Sequence, residues 1–319
     1  MSTETEPFNV SAYGGEGWSP RLQTHTQEIG TLWGNCGIDT EYTPLKSVLL
    51  HRPGKELFEL TNHNAVQMLE PIDPELVLEQ HDGIAAAYRN AGVAVHYVDP
   101  AQTPTPNQMF CADLMFMTPA GAILARPAST VRAGEERWVA RRLADIGVPI
   151  YRTLHGTATF EGADAMWINP ETVILGRGLR TNDEGARQVS AALTDLGINV
   201  IVVDLPFGTM HLMGMLRFAD KDLAIAWPKR FVHRGVDALK AHGYRVEFLP
   251  TVEEAAKGSA FNFVTLAPRE ILMVGGMPQT QAFYESLGIK CHSTPVHELR
   301  KAAGAIGCLT GIIEREMAP

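Results

Sequence analysis

The segment MFCADLMFMTPAGAILARP (109–127) consists of an apolar run, a short turn at Pro119 and a second apolar run. Three later segments repeat this pattern, namely ADAMWINPETVILGRG (163–178), HLMGMLRFADKDLAIAW (211–227) and FNFVTLAPREILMVGG (261–276). Their turns fall near Pro170, Asp220 and Pro268, so successive copies are 51, 50 and 48 residues apart. A weaker fifth copy of this hairpin pattern, SVLLHRPGKELFEL, is expected to open at Leu45. A fixed period near fifty residues is typical of propellers and repeat arrays.

Each copy continues with a helical stretch and then a short β-rich run. The predicted helices cover 73–92, 132–147, 181–197, 229–243 and 279–288. The predicted β-rich runs cover 93–98, 148–152, 198–205, 244–250 and 289–295, and a final apolar segment, 304–316, closes the last copy late. Short, evenly spaced strand groups that alternate with helices favour a ring over an open doubly wound sheet. The sequence therefore predicts an α/β fold, a five-bladed α/β propeller of ββαβ repeats with pseudo-fivefold symmetry.

The bulk composition limits the function. The chain of 319 residues has a net charge of -9, which argues against a general nucleic-acid binder but suits a small cationic ligand. The apolar runs are too short to span a membrane, and the polar, acidic start does not resemble a signal peptide. Four single cysteines without a CxxC motif predict a reducing, cytoplasmic location and neither disulfides nor zinc. Residues 1–41 are predicted to form an N-terminal arm or lid, and residues 42–319 a single propeller domain.

The repeat would bring four residues suited to chemistry to the centre of the ring. Asp113, Glu161 and Asp164 are acids in apolar, strand-like surroundings, where a carboxylate is costly unless it is paired or hydrogen-bonded. Each of these acids could instead have a purely structural role, in which its carboxylate accepts hydrogen bonds from the backbone amides of a loop. Three acids at equivalent repeat positions nevertheless favour a cationic ligand such as a guanidinium, which carboxylates bind in bidentate fashion. His211 opens the fourth hairpin and has the residue type most often used as a general acid or base.

Cys308 lies near the end of the chain within GAIGCLTG, where small flanking residues allow another molecule to approach closely. A cysteine thiolate is a strong nucleophile, although most free cysteines are buried and inert, and both interpretations stay open from this segment alone. Arg132 and Arg180 each follow a hairpin and precede a helix. Either could bind a substrate carboxylate, or could simply be a solvated arginine at the start of a helix. No GxGxxG motif follows a strand, so a dinucleotide site has no support.

In this order, these motifs resemble the guanidino-modifying enzymes of the pentein superfamily, which include arginine deiminase, dimethylarginine dimethylaminohydrolase and the amidinotransferases. The resemblance covers residues 45–316, and FEGAD (160–164) is similar to the family's Glu-Gly-Gly-Asp motif. It implies that Asp113 and Glu161 bind the guanidinium group. It further implies that His211 is the acid and base and that Cys308 is the nucleophile.

The resemblance assigns the remaining residues and the reaction. Asp164 would orient His211 or its loop, and Arg132 and Arg180 would hold the substrate's α-carboxylate. Deiminases and amidinotransferases typically carry His-x-Asp where this chain has Met213, which points towards the dimethylarginine hydrolases or another substituted guanidine. The expected reaction cleaves a guanidine C–N bond through a covalent amidino-thioether, without a metal or organic cofactor.

Several alternatives stay open. An amine acceptor in place of water would make an amidinotransferase, and two successive hydrolyses would make an arginine dihydrolase. A non-catalytic binding propeller is the remote alternative, because a ribosome-binding anti-association factor uses the same fold. The expected partner is a small guanidino substrate rather than nucleic acid or membrane. Association into a homo-oligomer is left open.

Overall fold

The structure, a computed structural model, describes residues 17–250, 252–256 and 260–318. Its described part contains five three-stranded sheets. Their strands are β1 Leu45–Leu50, β2 Ala94–Tyr97, β3 Met115–Thr118, β4 Gly121–Leu124, β5 Ile150–Thr153, β6 Ala165–Asn169, β7 Thr172–Arg177, β8 Asn199–Asp204, β9 Leu216–Asp220, β10 Leu223–Ala226, β11 Arg245–Phe248, β12 Val264–Ala267, β13 Glu270–Val274, β14 Lys290–Thr294 and β15 Gly311–Arg315.

All five sheets have the same internal topology. The strand orders are β15-β1-β2, β3-β4-β5, β6-β7-β8, β9-β10-β11 and β12-β13-β14. The first strand of each sheet pairs antiparallel with the middle strand, as in the Met115–Leu124 register of β3 and β4. The middle strand pairs parallel with the third, as Val173 does with Val200. A parallel neighbour requires a crossover, which here contains a helix.

The helices have the periodicity that the sequence predicts. They are α1 Lys55–Phe58, α2 Pro74–Asn90, α3 Glu136–Asp145, α4 Asp183–Thr194, α5 His233–Ala241, α6 Val252–Ala256, α7 Pro278–Ser286 and α8 Ile306–Leu309. In α4 the side chain of Asn182 caps the amide of Gly185, and acids occupy the first turn. Val189 and Leu193 on its inner face are fully buried. The apolar core therefore lies between the crossover helices and the sheets.

The five sheets close into a ring. β15 contacts β3, β12 contacts both β9 and β1, and the segments that lead into β3, β6 and β9 contact one another in turn. Ring closure uses the two ends of the chain, because β15 pairs antiparallel with β1, with Val48 opposite Ile312. The predicted five-bladed α/β propeller is thereby confirmed.

The expected hairpin at Leu45 is wrong. Only β1 is a strand, and residues Lys55–Phe58 form the helix α1 instead of a second strand. The carboxylate of Glu56 accepts hydrogen bonds from the amide of Gly54 (2.7 Å) and from the His51 ring (3.0 Å), which favours a helical turn there. The missing antiparallel partner is β15, so this blade is assembled from residues that are far apart in the chain.

The described part of the N-terminal arm packs along the propeller. Gly37 donates to the carbonyl of Ile313 and accepts from the amide of Arg315, and His25 contacts the carbonyl of Ala120 at 3.0 Å. Ala120 lies in the turn between β3 and β4, at the opposite end of β3 from Asp113. Residues 1–16, which the arm-or-lid prediction also covers, lie outside the described residues. The role of the arm and the domain boundary at residue 42 stay predictions. Among the described residues, no helix combines the length and apolar character that crossing a membrane requires.

Candidate functional site

The first strand of each blade is preceded by a short segment, and these segments meet at one end of the ring. Short 3-10 turns, Cys111–Asp113, Gly162–Asp164 and Leu212–Gly214, lead into β3, β6 and β9. Helix α8 leads into β15, and Asn262 precedes β12 by two residues. The acids expected inside apolar strands therefore lie in turns at the strand entrances, where backbone amides are available. All five blades contribute a polar or nucleophilic residue to this end.

Asp113, Glu161 and His211 form the centre of the site. One ligand atom from each lies within 4.8 Å of the others, and all three side chains are buried. His211 Nε2 is 2.6 Å from Glu161 Oε2, and His211 Nδ1 is 3.9 Å from Asp113 Oδ1. Among the described residues, Asp113 Oδ1 has no hydrogen-bond donor. A buried carboxylate oxygen without a donor costs roughly 1–3 kcal/mol or more, so it favours a ligand that donates N–H groups.

Two arginines hold the carboxylates in place. Arg132 donates to Asp113 at 2.7 Å and to Glu135 at 2.9 Å, and lies 3.6 Å from Glu161. Arg180 donates to both oxygens of Glu161 at 3.2 Å. Arg132 is 3% exposed and Arg180 is 9% exposed, so both guanidinium groups belong to the buried cluster. The resemblance assigned them to a substrate carboxylate, whereas in this structure each is paired with an acid of the protein.

The surrounding charged residues favour an ionised Glu161 and a protonated His211. Burial alone would lower the pKa of His211, but the carboxylates of Asp113, Glu161 and Asp164 raise it to about 9. Burial opposes ionisation of Glu161, but the hydrogen bond and charge of His211, with the charges of Arg132 and Arg180, lower its pKa to about 2. Near neutral pH, His211 is therefore a cation that can donate a proton, and Glu161 is an anion that orients it.

Asp164 holds the backbone next to His211 through hydrogen bonds. It is fully buried and accepts hydrogen bonds from Thr181 Oγ1 at 2.6 Å and from the amide of Leu212 at 3.0 Å. Burial raises the pKa of Asp164 to about 6, although the charge of His211 and both hydrogen bonds oppose this rise. Asp164 thus fixes the backbone next to His211 without a direct side-chain bond to that histidine in the described contacts.

Cys308 lies on α8, held by the neighbouring blade. Its Sγ is 3.1 Å from Asn262 Oδ1, which also accepts from the Cys308 amide at 3.2 Å. Burial and then the charge of Asp113 raise the pKa of the thiol, whereas Arg217 and Asn262 lower it. A Cβ at Gly307 would lie 2.0 Å from a guanidinium nitrogen of Arg217, so any larger residue there would have to displace the end of this buried side chain.

Two cavities meet at Cys308 and His211. The first, about 30 Å³, is bordered by Asp113, Arg132 and Arg180 as well as by the cysteine and histidine. The second, about 210 Å³, lies against Met213 and Trp227 and shares Cys308 and His211 with the first. Cys308 and His211 therefore lie where a charged compartment joins a larger, mainly apolar one.

Asp113, Glu161 and His211 are also the group of possible metal ligands among the described residues. Two of these three groups are already bound to arginine, since Arg132 contacts Asp113 and Arg180 contacts Glu161. A divalent ion would have to displace or approach these guanidinium groups and the protonated imidazole, which is electrostatically unfavourable. A monocation that donates N–H groups carries half that charge and could bind Asp113 Oδ1, which has no donor among the described residues, so the donor set is better suited to such a ligand.

The structure adds residues that the sequence interpretation missed. Glu135 is buried against Arg132, and burial raises its pKa to about 7 despite that arginine. Asn262 bonds Cys308, and Asn107 and Phe110 border the charged cavity. Asn262 occupies the place in the fifth hairpin that matches Asp113 in the second, so a strict comparison of repeats would have found it. Glu135 and Asn107 lie outside the repeated hairpins, so no repeat position gives a signal for them, and Phe110 is one apolar residue among many in segment 109–127.

The chain is similar to known proteins in sequence and in fold. The family model described as arginine deiminase matches residues 61–245. An N(G),N(G)-dimethylarginine dimethylaminohydrolase of Streptomyces coelicolor is 29% identical over 268 residues, covering 84% of this chain and 96% of that protein. The enzyme of the same name from Pseudomonas aeruginosa, in a mutant complexed with citrulline, has a similar fold, with a TM-score of 0.70, 23% identity and coverage of 84% and 98%. The N-terminal domain of ArgZ, covalently bound to a reaction intermediate, gives a TM-score of 0.73, with 19% identity and coverage of 85% and 98%.

Proposed function

Since this chain belongs to the arginine deiminase family, within the pentein superfamily, we propose that it is a cysteine-dependent hydrolase of an arginine-like guanidine. The substrate class includes guanidines that carry a substituent on a terminal nitrogen. The names of its relatives support hydrolysis of arginine-like guanidines, with and without a substituent, because they include dimethylarginine hydrolases and an arginine deiminase. The products would be a ureido compound and either an amine or ammonia.

One observation carries the proposal: the carboxylate of Asp113, the imidazole of His211 and the thiol of Cys308 border the same cavity, and Glu161 lies 2.6 Å from that imidazole. Asp113, Glu135, Glu161 and Asp164 provide four carboxyl groups, against the cations Arg132, Arg180 and His211. Above about pH 7, where Glu135 is also ionised, the cluster has one negative charge in excess. A guanidinium ligand would balance that charge and donate to Asp113 Oδ1.

The bound cation also prepares the nucleophile. The negative charge of Asp113 contributes to the raised pKa of the Cys308 thiol. A guanidinium on Asp113 would neutralise this effect and place a positive charge beside the sulfur, which lowers the thiol pKa. Activation of the thiol would thus follow substrate binding, and the free enzyme would keep Cys308 mostly protonated.

The chemical step then follows from the positions of the two groups. The thiolate of Cys308 attacks the guanidinium carbon, and His211 gives a proton to the departing nitrogen as the C–N bond breaks. This leaves an amidino-thioether on Cys308 and a neutral imidazole. His211 next takes a proton from water, the hydroxide adds to the amidino carbon, and collapse releases the ureido product with the sulfur as leaving group. Glu161 keeps the imidazole oriented throughout.

The arginines and Met213 have supporting roles in this proposal. Arg132 and Arg180 hold Asp113 and Glu161 in the binding geometry, and their contact with a substrate carboxylate stays a prediction. Met213 is half-buried beside the site and cannot accept N–H bonds as a carboxylate does. It can pack against an N-alkyl group, since its thioether is apolar and adaptable. These features favour a substituted guanidine over free arginine.

A panel of guanidines tests the function. Arginine, methylated arginines, agmatine and guanidino acids would be assayed for ureido product, ammonia and free amine. Cys308→Ser should lose activity by about 10³-fold or more, and the matched control Cys291→Ser should retain it. Full activity in Cys308→Ser would refute the covalent mechanism.

The same panel separates the remaining activities. A new guanidine formed from an added amine would identify an amidinotransferase. Ornithine formed from arginine would identify a dihydrolase. Binding of a guanidine without turnover, unchanged by Cys308→Ser, would indicate a binding propeller.

A further inference from the structure

The larger of the two cavities at the site is bordered mainly by apolar side chains. We call it the Met–Trp cavity, defined by Met210, Met213, Met215, Trp227 and Arg230 around Cys308 and His211. Neither Asp113 nor the two site arginines border it. The cavity is therefore outside the compartment that would bind a guanidinium group, yet it reaches the nucleophile and the acid.

Its position relates it to one part of the substrate. In the proposed reaction, His211 protonates the nitrogen that leaves, and Cys308 forms a bond to the adjacent carbon. Any substituent on that nitrogen must lie beside both residues and away from Asp113. The Met–Trp cavity meets this condition, because Cys308 and His211 border it and Asp113 does not, whereas the charged cavity is bordered by all three.

The cavity is too large for methyl groups alone. Its volume is about 210 Å³, compared with about 30 Å³ for the charged cavity. An apolar protein cavity of about 150 Å³ accepts a benzene molecule. The Met–Trp cavity thus has room for a phenyl ring or a branched alkyl chain together with its linking carbon.

The walls have the chemistry of an apolar subsite. The Trp227 ring stacks on Phe261, with centroids 5.7 Å apart and planes 10° apart, which fixes its orientation. Met213 and Met215 provide thioethers that adapt to irregular ligands and make favourable contacts with aromatic rings. The guanidinium carbon of Arg230 lies 4.2 Å from the Trp227 ring centroid, and this cation disfavours a positively charged substituent.

We propose that the Met–Trp cavity binds the departing N-substituent, and that this substituent is an uncharged apolar group about the size of benzyl. This inference rests on the proposed hydrolase function and specifies its substrate class as bulky N-alkyl or N-arylalkyl guanidines. The leaving amine is then larger than methylamine or dimethylamine.

The decisive measurement compares kcat/KM for Nω-benzyl-L-arginine and Nω-methyl-L-arginine, with benzylamine and methylamine quantified as products. The wild-type protein should prefer the benzyl substrate by about 10- to 100-fold, since differences of single methylene groups in apolar pockets already give about 10-fold or more. Equal or lower kcat/KM for the benzyl substrate would overturn the inference. Release of ammonia instead of benzylamine would also overturn it, because the substituent would then be on a retained nitrogen.

A filled-cavity variant provides the second measurement. Gly214 borders the cavity, and a Cβ built there meets no atom within 4 Å, so the side chain of Gly214→Leu would begin in open space at the cavity edge. This variant should lower the ratio of benzyl to methyl kcat/KM by about 10-fold, whereas the exposed control Met317→Leu should not change it. An unchanged ratio in Gly214→Leu would contradict the assignment of the cavity.

Failure of this inference differs from failure of the proposed function. Hydrolysis of arginine or methylarginine with poor use of the benzyl substrate refutes only the bulky substituent. The absence of a ureido product from every guanidine in the panel refutes the hydrolase itself.

Discussion

Replacing His211 with glutamine should reduce the decline of the free energy of unfolding between pH 7 and pH 9 by about 2 kcal/mol. His211 is 5% exposed and is surrounded by the carboxylates of Asp113, Glu161 and Asp164. Burial opposes its protonation, but these carboxylates raise its pKa from 6.5 to about 9. The folded protein therefore retains a proton in this pH range that the unfolded chain releases.

The expected change in the free energy of unfolding follows from the pKa shift of His211. At 1.36 kcal/mol per pKa unit, the shift corresponds to roughly 3 kcal/mol. A pKa that is raised in the folded state stabilises the protein fully below pH 6.5, and this stabilisation is lost as the pH rises through 9. About 2 kcal/mol of it should disappear between pH 7 and pH 9, with a slope near −1 kcal/mol per pH unit at pH 8.

Urea denaturation of the wild-type protein and His211→Gln at half-unit steps across this range measures the slope. The thiols of Cys36, Cys111, Cys291 and Cys308 also have a raised pKa in the folded state, so they add a negative slope near pH 9 in both proteins, and the test is the difference between the two slopes. Burial raises the pKa of Asp164 to about 6 and that of Glu135 to about 7. Those groups also destabilise the folded state as they ionise, but mainly below pH 7. His233→Gln removes an exposed histidine and should retain the wild-type slope. Equal slopes in the wild-type protein and His211→Gln would refute the charge assignment at the site.

Three further predictions concern the thiol and its surroundings. Asn262→Ala removes the acceptor 3.1 Å from Sγ and should lower kcat/KM by about 10-fold or more, with the folded state checked by circular dichroism. Arg217→Gln removes a cation that lowers the thiol pKa, so alkylation of Cys308 should shift to higher pH; an unchanged profile in a Cys291→Ser background would contradict this. Asp113→Asn should raise KM for guanidines by about 10-fold or more and make alkylation of the free enzyme faster, because it removes the carboxylate that raises the thiol pKa. Slower alkylation in this variant would exclude that electrostatic role.

The ring could be predicted because its information is local and repeated. Apolar runs of strand length, turns near Pro119 and Pro170, and amphipathic helices such as Asp183–Thr194 each follow from nearby residues. The hairpin expected at Leu45 failed for the opposite reason. Its partner strand, Gly311–Arg315, is at the other end of the chain, and local patterns do not reveal pairing over such a separation. The residues after Leu50 were free to form a helix.

The sequence alone determined the five-bladed α/β architecture, the residue types suited to guanidine chemistry and the convergence of Asp113, Glu161 and His211, because repeat position fixes where a strand begins. Only the tertiary structure decided which groups touch. It paired Arg132 and Arg180 with the acids and linked Cys308 to Asn262 of the neighbouring blade. It also placed the Met–Trp cavity beside Cys308. Such contacts depend on side-chain directions between blades, and a periodic pattern specifies which end of a strand a residue occupies but not the partner that its side chain meets.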